Sequence, residues 1–336
     1  MAIKVAINGF GRIGRSAFKI ARERGDVEIA AINDLGEIDN LAYLLKYDSV
    51  YGRYREPVSV KDGNLVVGET TIDVFIEKDP SKLPWKELGI DVVIESTGVF
   101  TEEEGVRGHL EAGAKKVVIS APTKSDSLAT ILVGVNDEDG EGKEIVSNAS
   151  CTTNCAGPVM AVLDNVFGVK KALLTTAHAY TATQSIVDGP ARGSDKRRGR
   201  AAAINMIPSS TGAAISTTLA LPQLKDKFDG VALRVPVPVV SMADLSVLLK
   251  KKVTVEEVNQ AFVEAVGNPI YKGVLAVTDE QTVSTDYIGD PHSAIVALDM
   301  TRVVDGDLIK VMAWYDNEWG YSNRLVEMVV EVGEEI

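Results

Sequence analysis

The sequence predicts an α/β protein in which an N-terminal, doubly wound parallel sheet is followed by a mixed α+β domain. The chain has 336 residues, about twice the length of a typical domain, so two domains are expected. In the first half, short apolar runs rich in β-branched residues alternate with helical stretches. Continuous rather than alternating apolarity indicates strands covered on both faces, as in a parallel sheet.

The predicted domain boundary lies near residue 150, where the pattern of the sequence changes. Residues 1–150 are expected to form the first domain and residues 151–318 the second. A C-terminal helix over residues 319–336 is expected to return to the first domain.

Each strand of the first half is predicted from one apolar run. These runs cover residues 4–8, 29–33, 91–96, 116–120 and 131–134. The first run leads into a helical stretch over residues 12–24. Between the second and third runs, three shorter ones over residues 58–60, 65–67 and 71–74 are separated by glycine-containing breaks. This pattern predicts a small antiparallel insertion.

The second half has a more mixed pattern. A helix is predicted over residues 154–167 and a strand over residues 171–176. Residues 181–212 form a long polar stretch, and loops of that length inside compact domains usually carry function. Further strands are predicted over residues 233–240, 245–250, 293–299 and 308–315, and further helices over residues 255–266 and from about residue 319.

Charge and cysteine usage exclude several classes of protein. The chain has 35 Lys and Arg against 48 Asp and Glu, a net charge of −13, and a field of that sign repels nucleic-acid backbones. No apolar run approaches the roughly 18 residues of a membrane span, and the N-terminus lacks a secretory pattern. The two cysteines are only four residues apart, which indicates a reducing compartment. We expect a cytoplasmic protein that binds neither nucleic acid nor membrane.

The first strand-to-helix junction has the glycine spacing of a dinucleotide-binding loop. Glycines at this spacing permit a tight turn and a close approach of the backbone to a pyrophosphate, which the free N–H groups of the helix N-terminus bind. The loop comprises Gly9, Phe10, Gly11, Arg12, Ile13 and Gly14. The first domain is therefore predicted to be of the Rossmann type.

Asp34 is the candidate ribose ligand because it ends the second predicted strand, 20 residues after Gly14. A carboxylate accepts hydrogen bonds from both ribose hydroxyls of NAD but repels the extra phosphate of NADP. NAD is therefore the expected cofactor. In the alternative interpretation Asp34 only caps the strand or turns to solvent, and the glycines serve packing alone.

Cys151 is the candidate nucleophile, since it lies at a predicted loop-to-helix junction among Ser and Thr residues. Unpaired N–H groups at a helix N-terminus favour thiolate over thiol, so its pKa is expected to fall. Free cysteines are more often buried and inert, and Cys155 is assigned to that class.

His178 is the candidate base, at the end of a predicted strand and the mouth of the polar stretch. Spacing alone favours a catalytic and a structural role for it equally. His109 is predicted on a helix surface and His292 in a turn. No cluster of His, Cys and carboxylate residues has zinc-like spacing, so no metal is expected.

Positive charge in the second half predicts a small anionic ligand. The basic run at residues 196–200 interrupts an acidic chain, and Arg234 lies between apolar residues. Guanidinium groups fit phosphate oxygens. In the alternative interpretation the charge run is a solvated face. An arginine in an apolar strand, however, costs folding free energy unless it is paired.

Together these motifs resemble the phosphorylating glyceraldehyde-3-phosphate dehydrogenase family almost end to end. The matching stretches are residues 6–15 (AINGFGRIGR), 45–50 (LKYDSV), 147–155 (SNASCTTNC), 177–181 (AHAYT), 234–238 (RVPVP) and 314–322 (WYDNEWGYS). The resemblance implies an NAD-dependent homotetramer that converts glyceraldehyde 3-phosphate and inorganic phosphate to 1,3-bisphosphoglycerate.

The same resemblance implies roles for individual residues. Cys151 would be the nucleophile and His178 its base, and Thr181 and Arg234 would hold the phosphate of the substrate. Inorganic phosphate would be bound by Ser150, Thr152, Arg198, Thr211 and Gly212. Besides the glycine loop and Asp34, the implied cofactor-binding residues are Lys78, Thr97, Gly98, Ser120, Asn317 and Tyr321, with Asn317 on the nicotinamide carboxamide.

Two departures from the family pattern lie in the polar stretch. Thr183 stands where the family commonly has an aspartate, and residues 192–198 differ from the usual sequence. These changes are expected to affect the fine positioning of the substrate and the contacts between subunits. Two alternative functions remain: a related dehydrogenase acting on erythrose 4-phosphate, and a non-catalytic redox or metabolite sensor on the same fold.

Overall fold

The structure, a computed structural model, describes residues 2–191 and 193–336. It contains two compact units. The first unit comprises the chain up to Ile131 together with Asp137–Ala149 and Ser322–Ile336. The second unit comprises Leu132–Asn136 and Ser150–Tyr321. Arg192, the first residue of the altered stretch in the polar loop, lies outside the described residues.

The first unit is built on a largely parallel sheet. Its strands are β1 (Ile3–Asn8), β2 (Val27–Asn33), β3 (Tyr47–Asp48), β4 (Gly52–Arg53), β5 (Val58–Lys61), β6 (Asn64–Val67), β7 (Thr70–Phe75), β8 (Val92–Glu95), β9 (Lys116–Ile119), β10 (Ala129–Thr130) and β11 (Ile145–Ser147). Its helices are α1 (Arg12–Glu23), α2 (Ile38–Lys46), α3 (Trp85–Leu88) and α4 (Glu103–Glu111).

The strand order confirms the predicted fold class. The nine-stranded sheet runs β10-β11-β9-β8-β1-β2-β7-β6-β5, and every pair from β10 to β7 is parallel. The chain reverses its winding direction beside β1, so a crevice opens at the carboxyl ends of the central strands. β5, β6 and β7 pair antiparallel as the predicted insertion.

One predicted strand of the first half is wrong. Residues 131–134 form no strand, and the sheet continues instead through β10 and β11. Ile131 and Leu132 are fully buried, so this run is apolar because it contributes to cores. Gly134 then takes a φ of +80°, which ends any extended conformation.

His109 is also placed differently from its predicted helix-surface position. It faces inward from α4 and is fully buried. Its Nδ1 accepts a hydrogen bond from Trp85 Nε1 at 3.0 Å, and its Nε2 lies 3.1 Å from a Glu95 carboxylate oxygen. Polar partners on β8 and α3 therefore make burial of the imidazole possible. Val106, three residues earlier and likewise buried, is the periodic signal that marks this face of the helix.

The second unit is built on a mixed sheet. Its strands are β12 (Val169–Ala179), β13 (Ile207–Ser210), β14 (Phe228–Val235), β15 (Ser241–Leu249), β16 (Leu275–Thr278), β17 (Ala294–Ala297), β18 (Arg302–Val304) and β19 (Leu308–Tyr315). Its helices are α5 (Cys151–Phe167), α6 (Ala213–Ala220), α7 (Val255–Val266) and the first turn of α8 (Trp319–Glu334), whose remainder belongs to the first unit.

The order in this sheet is β13-β14-β12-β15-β19-β17-β16, with β18 beside β19. β12 pairs parallel with β14 and antiparallel with β15. The predicted strand over residues 233–240 stops at Val235 because Pro236 and Pro238 have no N–H to donate to a ladder. The polar stretch contains β13, which the sequence did not predict.

Glu331 on α8 gives the stability of the first unit a pH dependence. Burial and the neighbouring carboxylates raise its pKa from 4.5 to about 7; these neighbours are Asp137, Glu335, Glu327 and Glu334. A raised pKa means that the folded state favours the protonated carboxyl. Its contribution to stability is therefore complete below the ordinary pKa and is lost as the pH rises through about 7.

Glu331→Gln is expected to stabilise the protein at pH 8 and to leave it nearly unchanged at pH 5. After solvent screening the gain at pH 8 should be on the order of 1 kcal/mol. Thermal unfolding at the two pH values measures the difference. Glu280→Gln, at an exposed position, is the control and should give equal shifts at both; an equal shift for Glu331→Gln would contradict the assignment.

Candidate active site

Cys151 is the first residue of α5, as the predicted loop-to-helix junction requires. Ser150 caps the helix, since its Oγ accepts the Thr153 N–H at 3.1 Å. This cap starts the helix at the cysteine, three residues earlier than predicted. The residue Cys151 is partly exposed, whereas Cys155 is fully buried, as predicted. Only Cys151 is therefore accessible to a substrate.

His178 lies next to the thiol from the end of β12. Its Nε2 is 3.4 Å from Cys151 Sγ, within hydrogen-bonding range for sulfur. Its Nδ1 is 2.7 Å from the carbonyl oxygen of Ala179. A proton on Nδ1 that is donated to this carbonyl leaves the lone pair of Nε2 facing the thiol. The imidazole is thus oriented as a base toward Cys151.

Arg234 joins this pair because of strand register. β12 and β14 are parallel neighbours, and His178 lies directly opposite Arg234. Arg234 Nη1 lies 2.7 Å from His178 Nδ1 and donates to the Ala179 carbonyl at 3.0 Å. With the proton on Nδ1, this carbonyl accepts from both side chains, and no hydrogen bond joins Nη1 to Nδ1. Its Nε is buried and has no hydrogen-bond partner, and no ion pair among residues 2–191 and 193–336 involves it. A mostly buried guanidinium without a carboxylate favours binding of an anion.

The electrostatics of the pair differ in one respect from the prediction. Burial raises the pKa of the Cys151 thiol; the charge of Arg234, the Thr152 hydroxyl and backbone N–H groups lower it, but burial is the largest effect. The expected net fall of the thiol pKa is therefore wrong. Burial and Arg234 lower the pKa of His178 to about 3. Both shifts favour a neutral thiol beside a neutral imidazole, which can accept the thiol proton.

The residues assigned to phosphate lie in the second unit, mostly near loop or helix ends. Arg198 donates to Ser209 Oγ at 3.0 and 3.2 Å. Thr211 Oγ1 accepts the N–H of Ala213 at the start of α6, and Gly212 precedes that helix. These contacts show local order; the phosphate-binding roles of these residues stay predictions.

Two threonines assigned to phosphate have contacts that the sequence did not predict. Thr181 Oγ1 lies 3.0 Å from Thr183 Oγ1, so the hydroxyl of Thr183 takes the place next to Thr181 at this departure from the family pattern. Thr152 is almost fully buried, and its Oγ1 lies 2.9 Å from Tyr315 Oη.

Five of the predicted cofactor residues of the first unit line a cavity of about 480 Å³ at the carboxyl ends of its strands. Gly9 has a φ of +93°, and a Cβ there would lie 2.6 Å from Thr97 N, so only glycine fits. Asp34 accepts the Phe10 N–H at 2.7 Å and the Gly36 N–H at 2.8 Å. Each carboxylate oxygen keeps a lone pair for a further donor. The predicted cofactor residues that line the cavity are Gly9, Gly11, Asp34, Lys78 and Thr97.

The other predicted cofactor residues have different surroundings. Phe10 is buried against Phe18, and Arg12 pairs with Asp48 at 2.6 Å. Gly14 packs against the Gly9 carbonyl, where a Cβ would lie at 2.2 Å. The predicted cofactor residues of the first unit that do not line the cavity are Phe10, Arg12, Ile13, Gly14, Gly98 and Ser120.

Asn317 and Tyr321 belong to the second unit. Both side chains are buried, and Asn317 Oδ1 accepts the Ser241 hydroxyl at 2.9 Å. Because this contact occupies the carbonyl end, the amide NH₂ of Asn317 is left to donate. Contact of either residue with a cofactor stays a prediction.

Among the described residues, no group of three or more His, Cys, Asp or Glu side chains is placed to hold a metal ion. None of the described helices combines the length and apolarity needed to cross a bilayer.

Comparison with known proteins assigns this arrangement to a family. Residues 3–103 match the model for the glyceraldehyde 3-phosphate dehydrogenase NAD binding domain, and residues 150–317 match the C-terminal domain of the same enzyme. The chain belongs to the glyceraldehyde-3-phosphate dehydrogenase family. The family resemblance inferred from the motifs is thereby confirmed.

Several members of the family match the chain over nearly their whole length. The Streptomyces coelicolor glyceraldehyde-3-phosphate dehydrogenase is 50% identical over 339 residues, covering 100% of both chains. The Geobacillus stearothermophilus enzyme of that name is 50% identical, covering 99% of this chain and 98% of its own. Glyceraldehyde-3-phosphate dehydrogenase 1 of Bacillus subtilis is 49% identical, with 99% coverage of each.

Sequence reasoning missed two hydroxyl groups of the site. Tyr315 ends β19, and its Oη also lies 2.8 Å from Thr176 Oγ1 on β12. Thr176 is two residues before His178, and the strand period of two predicts that both point to one face. Tyr315 has no such sequence spacing to His178, because it lies on a different strand, β19, and β15 lies between β19 and β12 in the sheet.

Proposed function

We propose that this protein oxidises and phosphorylates D-glyceraldehyde 3-phosphate to 1,3-bisphosphoglycerate with reduction of NAD. The observation that carries the proposal is the arrangement of Cys151, His178 and Arg234. A thiol lies 3.4 Å from a neutral imidazole, and a mostly buried guanidinium without a carboxylate lies beside that imidazole. Nucleophile, base and anion anchor are thus adjacent, as a phosphorylated aldehyde requires.

The first half of the reaction follows from these groups. His178 Nε2 takes the thiol proton, and Sγ of Cys151 bonds to the aldehyde carbon as the π pair of the C=O bond moves to oxygen. The imidazolium returns its proton to that oxygen, which gives a hemithioacetal and a neutral imidazole. Backbone and imidazole N–H groups stabilise the oxygen as its charge develops. His178 then takes the hydroxyl proton as the carbon is oxidised to a thioester. NAD, when bound, supplies the hydride acceptor.

The second half conserves the energy of oxidation. An oxygen of inorganic phosphate bonds to the acyl carbon, the C–S bond breaks, and the electron pair returns to Sγ of Cys151. Arg198 and Ser150 would hold the attacking phosphate, and Arg234 and Thr181 would hold the phosphate of the substrate. Two separate cationic groups serve two anions, which fits positive charge in a chain of net charge −13.

The direct test is cofactor reduction by the purified chain with glyceraldehyde 3-phosphate. We expect turnover that depends on inorganic phosphate and that is lower with erythrose 4-phosphate. Faster turnover of the tetrose would favour the related dehydrogenase. Absence of turnover with either aldehyde, in protein that still binds NAD, would favour the sensor.

The first unit fits NAD as the cofactor. Its cavity contains the close glycine approach at Gly9 and the ordered carboxylate of Asp34. The neighbours Leu35 and Glu37 offer no cation for the additional phosphate of NADP. We therefore assign a preference for NAD to Asp34.

Asp34→Ala is expected to reduce that preference. Loss of hydrogen bonds to a charged acceptor should raise the KM for NAD about tenfold, while the efficiency with NADP rises because repulsion of the phosphate is removed. Steady-state kinetics with both cofactors measures the ratio. Asp39→Ala removes one exposed carboxylate nearby and should leave the ratio as in the wild type; an unchanged ratio in Asp34→Ala would remove the carboxylate from the explanation.

We further propose a homotetramer in the cytoplasm. The polar loop and its surroundings expose large apolar side chains that a second copy could cover; they are Ile186, Val187, Ile204 and Met206, between 73% and 83% exposed. Both cysteines are free thiols, consistent with a reducing compartment. Light scattering coupled to gel filtration should give the mass of four chains.

A further inference from the structure

Glu95 is a buried carboxylate that the mechanism above does not use. It is the last residue of β8 in the first unit and is 1% exposed. In the parallel register of the sheet it lies opposite Asn8 at the end of β1, and Asn8 lies opposite Asn33 at the end of β2. Three neighbouring strands thus end in polar side chains. Asn8 and Asn33 also line the cavity of about 480 Å³ that is proposed to hold the cofactor.

Three N–H groups surround the two carboxylate oxygens of Glu95. Oε1 accepts the backbone N–H of Thr97 at 2.9 Å and also contacts the Thr97 hydroxyl. Oε2 accepts the side-chain amide of Asn8 and lies 3.1 Å from His109 Nε2. His109 is fully buried and Asn8 is nearly so, so water does not replace the contacts at Oε2 at low cost.

The imidazole of His109 has a fixed direction of donation. Its Nδ1 lies 3.0 Å from Trp85 Nε1, and an indole N–H can only donate. Nδ1 therefore accepts, so the ring is neutral and carries its proton on Nε2. That proton is donated to Glu95 Oε2. The contact between the two side chains is thus a hydrogen bond from a neutral imidazole to a buried carboxylate.

The amide of Asn8 is oriented from the opposite side. The backbone N–H of Glu77 donates to Asn33 Oδ1 at 2.9 Å, so the NH₂ group of Asn33 is left to donate. It donates to Asn8 Oδ1 at 2.7 Å and to the Glu77 carbonyl at 2.9 Å. The NH₂ group of Asn8 then donates to Glu95 Oε2. A backbone N–H at one end of the network and an indole N–H at the other therefore fix both donors to that oxygen.

We propose that Glu95 is a positioning residue for the cofactor, because it holds Thr97 and Asn8 in the wall of the cavity. The inference rests on the proposed function, in which NAD is the cofactor. Glu95 and His109 do not line the cavity themselves. The members of the network that line it are Asn8, Asn33, Glu77 and Thr97. Glu95 thus acts on the cofactor through these residues.

The backbone that Glu95 holds borders the glycine loop. A Cβ at Gly9 would lie 2.6 Å from Thr97 N, the same N–H group that donates to Glu95. The Ser96 hydroxyl donates to the Gly9 carbonyl at 2.7 Å. A displacement of residues 96–97 would therefore shift the loop that is predicted to bind the pyrophosphate. A cavity wall that is already ordered in the free protein lowers the cost of binding, since less conformational freedom is lost.

The test is calorimetric titration of the full chain with NAD and with ADP-ribose, which lacks the nicotinamide. Glu95→Gln keeps the shape of the side chain but offers only one acceptor oxygen, so its NH₂ group must face an N–H donor on one side. We expect the Kd of both ligands to rise about tenfold. At saturating NAD, kcat should stay within about twofold of the wild type, because Cys151 and His178 belong to the other unit.

Glu56→Gln is the matched control for a general loss of stability. Glu56 is a half-buried carboxylate of the same unit that pairs with Arg22 at 2.5 Å, and it does not line this cavity. The control should lower the melting temperature without raising the Kd of either ligand. His109→Leu is the second variant, since it removes one donor to Glu95 and should raise both Kd values by less. It keeps the test decisive if Glu95→Gln does not fold.

Two results would overturn the proposal. One is a Kd for both ligands in Glu95→Gln and His109→Leu that is no higher than in Glu56→Gln. The other is a rise for NAD without a rise for ADP-ribose, which would place the effect outside this cavity. Titration requires no turnover, so a wild type that binds NAD but oxidises no aldehyde would refute the proposed function and leave this measurement valid.

Discussion

Cys151→Ser is expected to abolish oxidation of the aldehyde while binding of NAD persists. A serine hydroxyl is far less ionised than a thiol near neutral pH, and proton transfer to His178 does not compensate for this lower acidity. The rate should fall about 10³-fold or more, as for other enzymes that lose a nucleophile. Cofactor reduction measures turnover, and quenching of protein fluorescence measures binding.

Cys155→Ser is the matched control for this substitution. Cys155 lies one helical turn further along α5 and is fully buried, and burial raises its thiol pKa well above the ordinary value. It should retain most of the activity. Equal turnover in the two variants would show that the nucleophile has been assigned to the wrong residue.

Arg234→Leu is expected to have the second largest effect. A charged contact to phosphate contributes about 1.5–3 kcal/mol, so the KM for the phosphorylated aldehyde should rise about 10- to 100-fold. Removal of the positive charge should also raise the pKa of the Cys151 thiol, because Arg234 lowers it. The pH profile of iodoacetamide alkylation of Cys151 should therefore move to higher pH.

Two other arginines separate this role from a general effect of charge. Arg198→Leu should chiefly raise the KM for inorganic phosphate, since Arg198 is assigned to the other anion. Arg200→Leu removes an exposed charge that pairs with Asp188 and should change neither constant. If Arg234→Leu and Arg198→Leu weakened the two substrates equally, the assignment of separate anion sites would fail.

Local patterns in the sequence predicted much of the fold. The first strand and helix carry continuous apolarity followed by the glycine loop, and β1 and α1 lie within a residue of their predicted bounds. Residues 131–134 have an equally apolar pattern but form no strand. An apolar run indicates that a segment is buried. Whether a buried segment is a strand depends on backbone hydrogen bonds to neighbouring strands.

The sequence predicted which residues form the site, but not all of their contacts or the pKa of the thiol. Cys151 and His178 were recognisable from their places at the ends of elements. Arg234 lies beside His178 because of the register of two strands, and the two residues are 56 positions apart in sequence. No local sequence pattern contains that register. The thiol pKa was mispredicted for the same reason. A helix N-terminus is visible in the sequence, whereas the desolvation that outweighs it depends on tertiary packing.

The return of α8 to the first unit has a consequence for the order of folding. Gly333 packs so closely on Ile3 that a Cβ would lie 2.6 Å from its side chain, and Lys116 pairs with Glu335. The packing of β1 is therefore complete only after α8, which is synthesised about 300 residues later, has been delivered by the ribosome. The second unit, from Ser150 to Tyr321 with one short earlier segment, has no such requirement. Synthesis thus exposes the first unit's apolar face longest, which makes it the part most dependent on protection from aggregation during translation.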